Sequence, residues 1–508
     1  GEEKNAQPFL PMRLNRSGPA IAVGDVTGDG VDDVIVGGTR LDPLRVLRGS
    51  SETAAFTATE AAALAGADSL DDGPVLLFDA DGDGAADLLV TKSGANRPAG
   101  SADYQPRLFL NDGHGAFHPA APDVLPTLPV SVGALAAADF NRDGSLDIFF
   151  GGRVQPGRYP LPPRSALLVN HGGRFEDATD RLAPGLSSIG LVTAVLWTDV
   201  DNDGWPDLLI ALEWGGIRYW HNNEGLSFED RSEPAGFAAA GTGWWTSLAA
   251  ADFNGDGRLD YVAGNAGLNT QYHASPEHPA LLYYGNFNVG GLPQLVEAYY
   301  EGDKIYPWRS RNELAAKIPA VLKRFPKTDL YAKATVEEIL GMDKLVAAKK
   351  FAATELQSGV FLSQPDGTYR FEPLPRMAQI SPLQGIVAGD FDGDGHADIY
   401  AVQNSYAPVP SVGHFDGGLS QLLRGDGHGH FTLVPPAAAR ATVRRGVEAV
   451  LETDSALDAL TRVVEALVNE LQKDRRALKE LTTREVRNTV HAMLRRPYSP
   501  DRKLVLTV

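Results

Sequence analysis

Six short loops in this chain carry aspartate and glycine at fixed intervals, and an apolar run follows each of them. They fit the template D-x-[DNT]-x-D-G-x-x-D, in which side-chain oxygens at positions 1, 3, 5 and 9 and the main-chain carbonyl of position 7 can surround one cation. The glycine at position 6 permits the sharp turn that brings these oxygens together. Aspartate and glycine also populate plain turns, but six copies in phase favour metal loops. A shell of oxygen ligands suits a hard cation, and calcium matches it best.

Five positions of each loop supply the predicted metal ligands, and the fourth residue of each set is named for its main-chain carbonyl. The first three sets are Asp25, Thr27, Asp29, Val31 and Asp33; Asp79, Asp81, Asp83, Ala85 and Asp87; and Asp139, Asn141, Asp143, Ser145 and Asp147. The last three sets are Asp199, Asp201, Asp203, Trp205 and Asp207; Asp252, Asn254, Asp256, Arg258 and Asp260; and Asp390, Asp392, Asp394, His396 and Asp398.

The residues around the loops indicate β-hairpins. An EF-hand loop needs a bidentate glutamate at position 12 and a helix on each side, whereas position 12 is apolar in all six loops. Strand-like runs flank each loop instead, such as AIAVG before the first loop and DVIVGG at its end. Each metal loop is therefore predicted to join two strands of a hairpin.

The spacing of the loops indicates a repeat architecture. Their first aspartates are 54, 60, 60 and 53 residues apart, and a gap of 138 residues follows. Repeats of about 40–50 residues with four strands apiece are typical of propeller blades. Within the gap, Asn286, Asn288, Gly290, Gly291 and Gln294 fit the same frame without a carboxylate, which indicates a blade whose metal site has decayed. The sequence therefore predicts a mainly β protein, a seven-bladed β-propeller.

These repeats resemble a known group of sequences. The loops, together with downstream turns such as LFLNDGHGAFH and LLVNHGGRFED, are similar to the FG-GAP or VCBS repeats of integrin-α-like β-propellers and to bacterial secreted proteins of the cartilage-acidic-protein type. The resemblance covers about residues 18–435. It implies a calcium-stabilised propeller with an adhesion, binding or assembly role and no catalytic residue. No C-terminal module of that family is recognisable at the end of the chain.

Composition agrees with a secreted protein. The 508-residue chain has 54 Gly, 34 Pro and no Cys, so its turns are dense and disulfides and thiolate metal sites are excluded. Its formal net charge of −19 argues against nucleic acid as a partner, because phosphate contacts require a basic face. The sequence lacks an apolar run of 18 residues that would predict a membrane span. It begins without Met or an apolar leader, as a mature protein does after signal removal.

Residues 307–356 interrupt the β pattern, and we predict a helical insertion in the sixth blade. Ser310 and Glu313 form a capping-box pair, and ATVEEILGMDKLVAAKKFAA continues with helical spacing. Basic residues outnumber acidic ones between Asp303 and Lys350. Two interpretations stay open: a solvated helical cap over one propeller face, or a docking surface for an anionic partner.

Composition and charge change again after residue 436, where we predict a boundary between a propeller at 1–436 and a helical C-terminal segment at 437–508. An apolar stripe from Leu457 to Leu471 recurs at three-and-four spacing, which indicates an amphipathic helix. Only KLVLTV at the very end is strand-like. The tail is predicted either to pack on the propeller or to pair between chains as an assembly element.

The sequence favours binding or assembly over catalysis. Motifs of serine hydrolases, P-loop enzymes, zinc proteases and dinucleotide enzymes are absent from it in a suitable context, and every conspicuous carboxylate pair belongs to a predicted calcium loop. We therefore predict a secreted protein that is not an enzyme, with structural calcium and a protein or glycan partner. Two alternatives stay open: a calcium-dependent polysaccharide lyase, and a carbohydrate-binding propeller that uses clustered tryptophans. These tryptophans are Trp197, Trp205, Trp214, Trp220, Trp244 and Trp245.

Overall fold

The computed structural model of this protein describes residues 7–15, 20–50, 56–59, 64, 70–288, 291–435, 438–439 and 505–506. These residues form seven antiparallel sheets, and the protein is mainly β. Most of the strands that follow an aspartate loop are buried along nearly their whole length, which explains their continuous apolar runs: neighbouring sheets cover both faces of each strand.

The first four sheets are built from strands that follow one another along the chain. Sheet one contains β1 (Ile21–Gly24), β2 (Asp33–Val36), β3 (Arg45–Arg48) and β4 (Thr57–Thr59). Sheet two contains β5 (Asp72–Phe78), β6 (Asp87–Lys92), β7 (Arg107–Asn111) and β8 (Phe117–Pro119). Sheet three contains β9 (Ser131–Ala138), β10 (Asp147–Val154), β11 (Ala166–Asn170) and β12 (Phe175–Asp177). Sheet four contains β13 (Leu191–Thr198), β14 (Asp207–Gly215), β15 (Ile217–Asn223) and β16 (Ser227–Asp230), with β17 (Gly243–Trp244) paired to β14.

The remaining three sheets are partly nested. Sheet five contains β18 (Ser247–Ala251), β19 (Asp260–Gly264), β24 (Gly359–Ser363) and β25 (Tyr369–Pro373). Sheet six contains β20 (Ala280–Gly285), β21 (Gln294–Glu301), β22 (Lys304–Pro307) and β23 (Lys349–Ala353). Sheet seven contains β26 (Leu383–Gly389), β27 (Asp398–Gln403), β28 (Gln421–Gly425) and β29 (Phe431–Leu433). A final strand, β30 (Val505–Leu506), pairs with β9 of sheet three.

Helices are short and concentrate in one segment. One helix, α1 (Thr179–Leu182), follows β12. Five lie between β22 and β23: α2 (Arg311–Ala315), α3 (Ala320–Arg324), α4 (Thr328–Ala332), α5 (Val336–Leu340) and α6 (Met342–Ala347). Single 3-10 turns occur at Ala102–Tyr104, Leu186–Ser188, Phe237–Ala240 and Arg376–Ile380.

The first strands of six sheets lie side by side in chain order. β1 contacts β5, β5 contacts β9, β9 contacts β13, β13 contacts β18 and β18 contacts β26. In each of these six sheets an aspartate loop joins the first strand to the second, and the two strands pair antiparallel. Sheets that pack through their first strands form a propeller-like fold, and the predicted hairpins are confirmed.

Sheet six departs from the predicted order. A further sheet in the long gap is confirmed, but its place as a consecutive blade is wrong, because it is inserted between β19 and β24 of sheet five while β18 contacts β26 directly. The strands on either side of the insertion still pair with each other, with Tyr261 opposite Phe361. Repeat spacing counts residues, so it cannot distinguish an additional blade from a sheet inserted within one.

The helical insertion lies within sheet six, as predicted, but it is shorter than 307–356. Ser310 caps α2 through the predicted box: the amide of Glu313 donates to the Ser310 hydroxyl and the amide of Ser310 donates to the Glu313 carboxylate. The helical prediction is wrong for Lys349–Ala353, which form β23 and pair with β20. Pairing with an existing strand satisfies the backbone of this segment, and that tertiary gain outweighs its local helical spacing.

An apolar cluster, which we call the distal cluster, covers the ends of the sheets opposite the aspartate loops. In sheet four, Thr198 and Asp207 pair at the loop, whereas Leu191 pairs with Glu213 at the other end. Leu191 and Trp214 belong to the distal cluster. Residues from the N-terminal segment, from sheet six and from the segment after β27 complete it, namely Leu10, Leu14, Leu282, Leu295, Val409 and Val412. Sheet six therefore packs one face on the distal cluster, while its other face carries the helices.

Two buried glutamates lie beside the distal cluster, and each has its own partners. Glu297 pairs with Arg309 at 3.1 Å and accepts a hydrogen bond from the Tyr272 hydroxyl. Burial raises the pKa of Glu297, and the Arg309 guanidinium opposes that shift. Arg309 also donates to the carbonyl of Phe9 at 2.8 Å. This set links sheet six to the N-terminal segment.

The second glutamate, Glu213 on β14, has an equivalent set of partners. Arg153 forms an ion pair with it, and the Tyr159 hydroxyl donates a hydrogen bond to it. The indole of Trp214 donates to the same tyrosine oxygen at 2.7 Å. Both glutamates are almost fully buried, 4% and 3% exposed for Glu213 and Glu297, so each charge is compensated inside the protein.

The C-terminal helices predicted within 437–508 lie outside the described residues. Of this segment, the structure describes 438–439 and β30, which lies in the strand-like terminal run and pairs with Ala136 and Ala137. Within the described part of the chain, no helix is both long and apolar enough to cross a membrane.

Candidate metal centres

The six aspartate loops share one hydrogen-bonded form, and we number them loop 1 (25–33), loop 2 (79–87), loop 3 (139–147), loop 4 (199–207), loop 5 (252–260) and loop 6 (390–398). In every loop the position 1 carboxylate accepts the amide of the position 6 glycine at 2.8–3.1 Å. The position 5 carboxylate accepts the position 7 amide at 2.8–2.9 Å. The position 6 glycines have φ between 81° and 91°, a left-handed conformation that glycine adopts without strain.

The position 9 aspartate fastens each loop to its own sheet. One carboxylate oxygen accepts an amide at the end of the third strand at 2.7–2.9 Å; the donors are Gly49, Asn111, Asn170, Asn222, Ser363 and Gly425. In five loops the other oxygen accepts the position 2 amide. All six position 9 aspartates are buried. They therefore hold the loop, the second strand and the third strand in one arrangement.

Carboxylates of three loops come close enough to share an ion. The ligand atoms lie within 4.8 Å of one another in three sets that belong to loops 2, 4 and 6: Asp79, Asp81 and Asp87; Asp199, Asp201 and Asp203; and Asp390, Asp392 and Asp398. Loops 1, 3 and 5 have Thr27, Asn141 and Asn254 at position 3, so a hydroxyl or an amide takes the place of one carboxylate there.

Loop 3 differs from the other loops in its position 2 contact. Asp147 is fully buried, and its Oδ2 lies outside strict hydrogen-bonding geometry, although the Phe140 amide still acts on this carboxylate and lowers its pKa. Asp139, Asp143 and Asp147 supply carboxylate oxygens of the type that a hard cation binds.

Electrostatics within the loops also favour a cation. Burial raises the pKa of Asp147 and Asp207 to about 7, and amide hydrogen bonds oppose the shift while nearby loop carboxylates add to it. The pKa of Asp87 and Asp398 is raised to about 6, again first by burial. Each raised pKa means that the ionised carboxylate is disfavoured in the loop. A divalent ion would reverse this effect, because it stabilises the charged form.

Neighbouring loops are joined by buried asparagines. The side-chain amide of Asn111 in sheet two donates to the carbonyl of Val26 in loop 1 at 2.8 Å and to the carbonyl of Ala86 in loop 2 at 3.1 Å. Asn170 and Asn222 repeat this arrangement one and two sheets further on, with Ala80 and Leu146, and with Phe140 and Pro206. Each asparagine thus links position 2 of one loop to position 8 of the next.

Two other groups continue the series beyond loop 4. The Tyr369 hydroxyl contacts the carbonyls of Val200 in loop 4 and Leu259 in loop 5, at 2.8 and 3.1 Å. The amide of Gly429 in sheet seven donates to the carbonyl of Phe253 in loop 5 at 2.9 Å. Each loop from loop 1 to loop 5 is therefore directly connected to the next sheet that carries a loop. These connecting residues lie outside the aspartate template, although an asparagine recurs in the turns LFLNDGHG, LLVNHGGR and YWHNNEG and could have indicated them.

Polar side chains from third strands reach two of the loops. His221 on β15 lies beside Asp201 and Asp207 of loop 4, and Arg424 on β28 pairs with Asp392 and Asp394 of loop 6. The Arg424 guanidinium holds the pKa of Asp394 below its usual value. Neither residue belongs to the aspartate template, so the loop motif alone gave no signal for them.

The loop predicted to be decayed keeps part of the same geometry. Gln294 replaces the position 9 aspartate, and its Oε1 accepts the amide of Phe287 at 2.9 Å, which is the position 2 contact of the other loops. The Lys344 ammonium of α6 donates to the Phe287 carbonyl at 2.7 Å. The side-chain amide of Gln294 therefore maintains this turn in place of a carboxylate.

The clustered tryptophans are mostly inaccessible. Trp197, Trp214, Trp220, Trp244 and Trp245 are all buried, so they cannot stack on a sugar ring at the surface. Trp205 of loop 4 is half-buried, and the Arg142 guanidinium of loop 3 lies 4.0 Å from the centre of its ring. Arg142 also donates to the carbonyl of Gly204, which adds another contact between loops 3 and 4.

Comparisons with known proteins identify the repeats. The family model of the FG-GAP-like repeat matches residues 79–150 and 199–263, which include loops 2, 3, 4 and 5. The chain thus contains FG-GAP-like repeats in a propeller-like fold. Over 170 residues it is 33% identical to human cartilage acidic protein 1, covering 30% of this chain and 23% of that protein. The mouse protein is 32% identical over the same length, with 24% of it covered. The match therefore spans less than a quarter of the length of these relatives.

Solved structures give only distant likenesses. The V. cholerae biofilm matrix protein Bap1 is 13% identical with a TM-score of 0.30, covering 84% of this chain and 81% of that one. The Bacillus licheniformis rhamnogalacturonan lyase PL11 is 12% identical with a TM-score of 0.32, covering 83% and 65%.

Proposed function

We propose that this protein is a calcium-stabilised, propeller-like module for binding or assembly outside the cell, with calcium in a structural role. The observation that carries the proposal is the common form of the six loops, in which position 1 and position 5 carboxylates hold the turn and the position 9 aspartate fastens it to the third strand. A repeated shell of oxygen ligands with one geometry is what a hard cation requires.

Calcium fits this donor set for two reasons. Its ligands are carboxylate, amide and carbonyl oxygens, which the loops supply, and three carboxylates in each of loops 2, 4 and 6 place their ligand atoms within 4.8 Å of one another. The direct links between neighbouring loops support a structural role, because an ion in one loop would also stabilise the sheet beside it. The loop carboxylates already accept main-chain amides, which favours a scaffold over acid–base catalysis, so we propose a protein that is not an enzyme.

The extracellular setting and the binding role rest on the repeats and on the chain's composition. FG-GAP-like repeats and the similarity to cartilage acidic protein 1, with 508 residues that include no cysteine, suit a secreted protein that bound ions stabilise instead of disulfides. The apolar stripe from Leu457 to Leu471 offers a means of pairing between chains, and a protein or glycan partner remains part of the proposal.

Metal removal tests the calcium proposal. At a Kd of about 0.1–1 mM, each site would contribute up to about 1.4 kcal/mol at about 1 mM calcium. We expect elemental analysis to find about six calcium ions per chain, and calorimetry to show a large fall in Tm after treatment with EDTA that calcium reverses. Absence of bound metal together with an unchanged Tm in EDTA would exclude the proposal.

A matched pair of aspartates provides the control. Asp143 of loop 3 and Asp366 of an ordinary turn each accept the amide two residues further on, at 2.9 and 3.0 Å. Asp143→Ala should lower the calcium content by one ion per chain, whereas Asp366→Ala should leave it unchanged. Equal calcium loss in both variants would mean that the loops are not specific sites.

Deletion of residues 441–508 tests assembly. We expect the full-length protein to be oligomeric at micromolar concentration and the shortened protein to be a folded, calcium-binding monomer, measured by light scattering after size-exclusion chromatography. If both proteins are monomers and the shortened one only melts earlier, the tail is a structural cap and the assembly role fails.

A further inference from the structure

One position of the third strand is equivalent in all six sheets. It immediately precedes the residue whose amide binds the position 9 aspartate, and its occupants are Arg48, Leu110, Val169, His221, Leu362 and Arg424. Three of these side chains are aliphatic. Arg48 donates to carbonyls of the turn at His114 and Gly115 in sheet two. Only His221 combines a place beside its own loop with a lone pair that can bind a metal ion.

His221 brings a nitrogen ligand close to two carboxylates of loop 4. Its Nδ1 lies 3.1 Å from Asp201 Oδ2 and 3.4 Å from Asp207 Oδ1, and the ligand atoms of the three residues lie within 4.8 Å of one another. His221 is 7% exposed and Asp207 is fully buried. Asp201 is exposed, so the three groups meet where the buried end of loop 4 reaches the surface, and they come from two different segments of sheet four.

These separations agree with shared coordination of a small divalent ion. Two ligands at about 2.1 Å from a metal lie about 3.0 Å apart at a right angle and about 3.4 Å apart at the tetrahedral angle. The Tyr219 hydroxyl lies 3.2 Å from His221 Nδ1 and 3.2 Å from Asp207 Oδ2. It can donate to the Asp207 carboxylate when Nδ1 binds a metal, so a hydrogen bond that would orient this ligand is also present.

We propose that loop 4 is a mixed nitrogen and oxygen site that binds a transition-metal dication, such as Mn²⁺, Co²⁺ or Zn²⁺, in preference to calcium. The inference rests on the proposed function, in which the loops bind metal ions. Calcium takes oxygen ligands, whereas neutral imidazole with carboxylates suits first-row transition metals. The side chain at one position of the third strand thus sets the metal preference of its loop.

Loop 6 supplies the contrasting case within the same chain. Arg424 occupies the equivalent position and contacts Asp392 at 2.8 Å and Asp394 at 2.7 Å. A guanidinium has no lone pair and stays charged, so it neutralises a loop but cannot bind a metal ion. A protonated His221 would act in the same way on loop 4, and the experiment distinguishes this ion pair from metal binding.

Cobalt binding in the presence of calcium tests the proposal. Full-length protein saturated with millimolar calcium is titrated with Co²⁺, and bound metal is followed by equilibrium dialysis and by the visible absorption of Co²⁺. We expect one tightly bound Co²⁺ per chain. His221→Gln and His221→Leu should each weaken it by about 100-fold or more, since even outer-shell partners of a ligand contribute about 10–100-fold. Leucine occupies the same position in sheets two and five, and glutamine retains polarity if leucine disturbs folding.

His118→Gln serves as the control, because His118 is exposed on β8 of another sheet and its loss should leave the bound Co²⁺ unchanged. The proposal is overturned if the unmodified protein retains no Co²⁺ in calcium, or if both His221 variants retain it fully, which is the outcome that a simple ion pair predicts. Calcium content measured in the same samples distinguishes a failure of the loop 4 proposal from a failure of the proposed calcium-binding function. Six calcium ions without Co²⁺ refute this inference alone, whereas absence of calcium refutes the proposed function.

Discussion

The two ends of the sheets both contain buried carboxylates, but they differ in the positive partners of those carboxylates. At the loop end, carboxylates gather without enough positive side chains, and burial raises the pKa of position 9 aspartates such as Asp147. At the distal end, Glu213 and Glu297 are equally buried, but each has an arginine and a tyrosine partner. If the loops bind calcium as proposed, the distal end should keep its stability when calcium is removed, whereas the loop end should lose it.

The largest effect is expected from a change at the distal end. Glu297→Ala leaves the Arg309 charge buried, which should lower the free energy of unfolding by about 3–5 kcal/mol. Because calcium does not enter this contact, the loss should be the same in calcium and in EDTA, as measured by urea unfolding. A loss that appears only in calcium would show that the two ends are not independent.

A smaller effect is expected where two loops are joined. Asn170→Leu leaves the buried carbonyls of Ala80 and Leu146 without their donor, which should cost about 2–4 kcal/mol. Asn223→Leu is the matched control, since Asn223 bonds within its own turn to Ser227 and should cost under about 1 kcal/mol. Equal losses in urea unfolding would contradict a special role for the asparagine between loops.

The effect of a substitution in loop 3 on the free energy of unfolding should change sign when calcium is removed. In calcium, Asp147→Asn removes a charged ligand and should lower the free energy of unfolding by about 1–2 kcal/mol. In EDTA the same change should be neutral or stabilising at pH above 7, because burial raises the pKa of Asp147 to about 7 and the ionised form destabilises the folded state. Thermal unfolding under both conditions measures the difference, and an equal loss in both would mean that loop 3 holds no ion.

The smallest effect is expected at loop 6. Arg424→Leu removes a solvent-screened partner of Asp392 and Asp394, so the free energy of unfolding should hardly change. Calcium no longer competes with the guanidinium, and the affinity of that one loop should rise up to about fivefold. Isothermal titration of the metal-free protein gives the measurement. A lower affinity in the variant would mean that Arg424 assists the loop instead of competing with the ion.

Prediction from the sequence succeeded where the signal was local. The hairpins, the turns of the six loops and the Ser310 capping box all follow from residues a few positions apart, and the structure confirms them. Metal binding by the loops stays a prediction. It failed for Lys349–Ala353, where pairing with β20 overrides a helical pattern. It also misplaced sheet six, since a repeat interval does not reveal which strands pair on either side of an insertion.

Aspartate and glycine in a fixed order determined the turn of each loop, because their hydrogen bonds and left-handed glycines involve only neighbouring residues. The order of those residues therefore specified six equivalent sites. Only the tertiary structure decided what distinguishes one site from another. His221, Arg424 and Tyr369 reach the loops from strands that lie further along the chain, and the packing of one sheet against the next determines which side chain faces which carboxylate.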